Sequence, residues 1–165
     1  MRKLIPVLLI CMMILSACAG EAPKDATEPV GQLQLANPWK SYDSLQEAAD
    51  VCGFDFPIPM TVAEIYTAQS FRVMNDHLLE VVYRTEDEQI TVRMASGENQ
   101  DISGVYMDAD NTVVSEHNGA TVTAKQIGNG YLHLVSKDGF SYSLYAPTGY
   151  RDGAAEIFLS YLCES

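Results

Sequence analysis

LEVVYRTEDEQITVRM, residues 79–94, decides the fold. Leu79, Val81 and Tyr83 alternate with Glu80, Val82 and Arg84; past the acidic turn at Glu86, Asp87 and Glu88, Ile90, Val92 and Met94 alternate with Thr91 and Arg93. A period of two on both sides of a short polar turn is an antiparallel hairpin with one face on a core. Working outward, Asn118-Gly119, Gly128-Asn129-Gly130 and Lys137-Asp138-Gly139 separate four further runs at 112–116, 120–127, 131–136 and 140–145. Such turns supply the positive φ angles of tight antiparallel connections. With 64–74 as the first strand, the pattern predicts about seven antiparallel strands in up-and-down order, a meander. The irregular stretch 95–110 is expected to be the longest surface loop.

Helical spacing brackets these strands. Leu45, Ala48, Ala49 and Cys52 fall at i, i+3, i+4 and i+7, with Asp43 as the expected N-cap and Gly53 as the left-handed stop. Pro57 and Pro59 then force an extended connection. At the other end Ala155, Phe158, Leu159 and Leu162 share a face, after Pro147, Gly149 and an Asp152 suited to capping. The expected architecture is α+β: an antiparallel sheet with an N-terminal and a C-terminal helix packed on one face. Its other face carries Tyr and Thr and is expected to be partly open.

The chain begins with Arg2 and Lys3, an apolar run over 4–15, and then Leu15-Ser16-Ala17-Cys18. The run is too short to span a bilayer and reads as an export signal. Its last four residues resemble the bacterial lipoprotein box, in which diacylglycerol joins the cysteine sulfur before cleavage, so Cys18 is the expected lipidation site and first mature residue. Residues 1–17 are then a signal peptide, 18–36 a lipidated cysteine with a Pro-, Gly- and Glu-rich tether reaching about 20–25 Å, and 37–165 a single domain opening at Asn37, Pro38 and the only tryptophan, Trp39. The expected location is the cell membrane, lipid-anchored on its extracytoplasmic face. A formal net charge of −12, more negative once Arg2 and Lys3 are removed, repels phosphate backbones and anionic headgroups. Nucleic acid is therefore excluded as a partner, and membrane attachment falls to the lipid.

Motifs of catalysis are absent. His77, His117 and His133 are far apart and outside any HExxH spacing, no CxxC occurs, and no GxSxG surrounds a serine. No cofactor and no catalytic residue is expected. Asp108, Asp110 and Asn111 crowd oxygen atoms that suit calcium, but Val113 and Gly119 break the EF-hand pattern, so a solvated turn is the default reading. Cys52 and Cys163 either form a disulfide, which an exported protein permits, or are two separate core thiols. Among nine tyrosines, Tyr106, Tyr131, Tyr142 and Tyr145 are candidates for a recognition surface, the alternative being sheet filling.

Asn37-Pro38-Trp39, the LQEAA run at 45–49, Gly53-Phe54, Pro59, Asp101-Ile102-Ser103-Gly104-Val105-Tyr106 and Ser141-Tyr142-Ser143 together resemble an uncharacterised group of bacterial lipoproteins related to the domain of unknown function numbered 4367. The resemblance implies an exported, membrane-anchored domain of mainly Gram-positive type, and assigns no catalytic residue. Cys52 and Cys163 depart from its pattern, where the helix end is apolar. The expected function is a non-enzymatic binding or interaction module with a protein or envelope partner; the alternatives are an apolar-ligand carrier or sensor with a curved sheet, and an envelope hydrolase without a recognisable motif.

Overall fold

The computed structural model describes residues 37–151 and 153–164. Nine strands and two helices follow one another: β1 Trp39–Tyr42, α1 Leu45–Cys52, β2 Thr61–Val62, β3 Tyr66–Met74, β4 Leu78–Arg84, β5 Gln89–Ser96, β6 Asn111–His117, β7 Ala120–Ile127, β8 Gly130–Lys137, β9 Phe140–Ala146 and α2 Ala154–Glu164. The alternation in 79–94 builds the middle of the sheet, with Leu79 opposite Met94, Val81 opposite Val92 and Tyr83 opposite Ile90. All six are buried on the face that carries the helices.

The class is α+β as expected, but the strands number nine rather than seven. Trp39–Tyr42 is too short to show alternation, yet it pairs with β3 from Trp39 opposite Met74 to Tyr42 opposite Phe71. Thr61–Val62 folds back on β3 through Ala63 and Glu64, both at positive φ, so Glu64 belongs to a turn and not to the first strand. The up-and-down order also fails, at β5. The sheet runs β1-β3-β4-β5-β9-β8-β7-β6, with β2 pairing β3 off this path. Successive hairpins do join β6 to β9, but the residues after β5 carry the chain to the far edge, and the last strand returns to pair Thr91 with Tyr145 and Ser96 with Phe140. Turn chemistry dictates local pairing only; which strand of the second block meets β5 is a long-range choice.

Ala48 and Ala49 of α1 and Ala154, Phe158, Leu162 and Cys163 of α2 enter the core. The Phe158 ring meets Tyr66 and Tyr83 edge-on, at centroid separations of 5.7 and 5.2 Å, the arrangement that aromatic quadrupoles favour. The N-cap of α1 is Ser44 rather than Asp43: its hydroxyl accepts from the Glu47 amide at 3.2 Å. Gly53 closes the helix at φ 74°. The expected cap of α2, Asp152, lies outside the described residues.

The opposite face is open only in part. Glu80, 1 % exposed, stands between Arg72 of β3 and Arg93 of β5, which are its cross-strand neighbours. Arg72 donates to Oε1 through Nε at 2.8 Å and also through Nη2, while Arg93 Nε donates to Oε2 at 2.9 Å. Trp39 covers both guanidinium groups, 5.1 and 5.2 Å from the ring centroid, so each also gains a cation–π contact. Arg93 Nη1 donates to the carbonyls of Ile102 and Ser103 at 3.1 and 2.5 Å, which pins the β5–β6 loop across this face. Gly104 is needed there, because at φ 66° a Cβ would run into the Arg93 guanidinium. Farther along, the amides of Asn99 and Gln100 donate to the hydroxyls of Ser136 and Ser141 at 3.1 and 3.0 Å. The loop expected at 95–110 is thus a cover, tied to Ser136 of β8 and Ser141 of β9.

Candidate functional site

β6 ends the sheet, and all seven of its residues are exposed. Its inner side is fully paired to β7, from Asn111 opposite Gln126 to His117 opposite Ala120. Among the described residues nothing pairs its outer side, so alternate N–H and C=O groups point outward unmatched. Sheet edges are usually blunted by brevity, proline, lysine or bulges. The other edge strand, β1, has four residues and Lys40. β6 has none of these devices: seven residues, one charged side chain that is acidic, and adjacent Val113 and Val114 that are 55 % and 63 % exposed.

Alongside β6, on the helix face, runs a groove of about 500 Å³ between the strand and α2. Ser115 and His117 line its strand side, Val122 of β7 its floor, and Leu159, Ser160 and Cys163 its helix side. The carboxylates of Glu156 and Glu164 complete the lining with the backbone of Glu116, whose own carboxylate turns to the other face and accepts from the Thr121 hydroxyl at 2.8 Å; no Lys or Arg lines the groove. Lys137, close by on β8, donates to the Cys163 carbonyl at 2.9 Å and pairs with Asp138 at 3.8 Å.

A smaller cleft of about 300 Å³ opens between β8 and the start of α2, where Tyr131, His133, Tyr150 and Arg151 converge. His133 Nδ1 lies 3.2 Å from the Tyr150 hydroxyl, which donates to the Leu144 carbonyl at 3.4 Å. Burial holds the His133 imidazole below its ordinary pKa, with Glu156 opposing, and burial followed by the neighbouring Tyr66 raises the Tyr150 phenol. Arg151 is engaged elsewhere, its Nε donating to Glu88 Oε1 at 3.2 Å. A further groove of about 580 Å³ is lined by Phe54, Met94, Phe140 and Tyr142.

The tyrosines singled out from the sequence do not form one surface. Tyr106 is 96 % exposed on the β5–β6 loop and Tyr131 is 40 % exposed, but Tyr142 is buried in the core, and Tyr145 sits one strand position from Leu144 and so faces the opposite side. Sheet filling accounts for Tyr142. Asp110 is committed to the chain itself: its Oδ2 accepts from the Gly128 amide at 2.8 Å, while Asp108 and Asn111 are exposed. Among the described residues no three His, Cys, Asp or Glu side chains are grouped to hold a metal ion. Cys52 and Cys163 are both free, so the disulfide alternative is not realised. Their helices cover different parts of the sheet, α1 over β1, β3 and β4, and α2 over β8 and β2. Cys18 lies outside the described residues.

Two features escaped the sequence reading. The edge position of β6 depends on the strand order, although the adjacent pair Val113-Val114 in a run without alternation was a local signal that both faces of the strand are alike. The Glu80 cluster was half legible, because the hairpin register alone places Arg93 opposite Glu80. The chain matches no family model, no curated protein and no solved structure.

Proposed function

We propose that this chain is a lipid-anchored, extracytoplasmic binding module that holds a partner polypeptide at its free sheet edge and performs no catalysis. The observation that carries this reading is β6, a seven-residue edge strand exposed along its whole length beside a groove. An unblunted edge offers main-chain hydrogen bonds to an added strand, and the neighbouring groove takes alternate side chains of that strand. The Leu15-Ser16-Ala17-Cys18 sequence supports attachment of the domain to a membrane surface through the tether. A photo-crosslinking residue placed at Val114 in intact cells is expected to capture a polypeptide, while the same residue at Val51 on α1 captures none. In a Cys18→Ser background the adduct is expected to leave the membrane fraction. Absence of an adduct at Val114 overturns the assignment of β6 as the binding edge.

A further inference from the structure

We infer that the segment received by β6 is a strand with the pattern basic, any, apolar, any, basic, its basic side chains lying over Glu156 and Glu164. The inference rests on the binding reading above and specifies its partner. An added strand turns alternate residues toward the groove. On that side it meets Val122 and Leu159, which favour an apolar residue, and the carboxylates of α2, which favour cations. The spacing agrees. Glu156 and Glu164 are eight helical positions apart, about 12 Å along the axis, and residues i and i+4 of a strand lying along the groove are about 13–14 Å apart. The groove-facing residue between them then falls over Leu159 and Ser160.

Charge also selects against the other occupants. A second copy of this chain would bring a β6 strand without Lys or Arg to the acidic rim, and anionic headgroups would meet a protein of net charge −12. Lys137, held by the Cys163 carbonyl and paired with the Asp138 carboxylate, brings one positive charge to the Cys163 end of the groove, against the two glutamates of α2. Positions of the added strand on the opposite side neighbour Thr112, Val114 and Glu116, an edge without strong selectivity.

The test uses the full chain in detergent and three fluorescein-labelled peptides: one with a Lys-Thr-Val-Thr-Lys centre, one with Glu in place of both Lys, and one with the Lys centre N-methylated on alternate amides. The Lys peptide is expected to bind at least tenfold more tightly than either of the others by anisotropy. Its affinity is expected to weaken with added salt, and to fall at least tenfold in the Glu156→Lys, Glu164→Lys double variant. That variant should keep the wild-type circular dichroism spectrum, since both positions are on the outer part of α2. Equal binding of the Glu peptide, indifference to N-methylation, or no binding of any peptide overturns the inference. An adduct at Val114 that proves to be a homodimer, a lipid, or a segment without basic residues also overturns it. A captured non-basic polypeptide leaves the binding reading standing, whereas no adduct at all removes that reading first.

Discussion

Glu80 is the one Asp, Glu, Lys or Arg in the buried class among the described residues; two guanidinium groups flank it and an indole ring covers them. Stripping a carboxylate of water is costly unless its oxygens are fully engaged, and here both accept charge-assisted hydrogen bonds. Glu80→Gln keeps the shape but removes the charge and leaves two arginines facing a neutral amide. Because Arg72 is 37 % and Arg93 18 % exposed, part of that penalty is relieved by solvent. A loss of about 2–3 kcal/mol is expected in urea denaturation, with a change in the emission of Trp39, which lies on the cluster. His133 makes a second residue-scale prediction. Burial depresses its folded pKa below the ordinary 6.5, against the opposing Glu156. The unfolded chain therefore takes up a proton first as pH falls. Its contribution is complete above about pH 6.5 and is lost as pH drops toward the folded value. The melting temperature should fall between pH 7.5 and 5.5, and His133→Gln, which leaves the Tyr150 hydroxyl a partner, should flatten that slope.

At the scale of elements, the β7–β8 hairpin is tied to the end of β9 by a close approach. A Cβ on Gly130 would stand 2.8 Å from the Ala146 carbonyl oxygen and 2.9 Å from that of Pro147. Both are backbone atoms that cannot swing aside, so Gly130→Ala must shift one strand against the other. A destabilisation of about 1–3 kcal/mol is expected by chemical denaturation. Hairpins were also the level at which the sequence spoke most clearly. The runs read at 112–116, 120–127, 131–136 and 140–145 became β6 to β9 with shifts of one residue, because Gly, Asn and Asp at the turns leave few alternatives. Trp39–Tyr42 and Thr61–Val62 were not legible, since strands of four and two residues are too short for a period. Ser44 displaced Asp43 as cap for a similar reason: neighbouring residues with equal capping chemistry are separated only by where the chain enters the helix.

For the whole molecule, the α+β class followed from two helical faces and many alternating runs, but the strand order did not. Nothing local tells β5 that its outer neighbour is β9, some fifty residues on, rather than β6. The same gap hid the candidate site, because β6 becomes an edge only once β9 has taken the inner place. That arrangement bears on how the protein is made. Of all the strands, β9 leaves the ribosome last, yet it closes the seam between a β1–β5 half and a β6–β8 half. Until it arrives the nascent chain carries two half-sheets, each with a raw flank. A frameshift or stop codon ahead of Phe140 would strand them apart, leaving the β5 flank at Val92 and Met94 without its partner strand and open to aggregation.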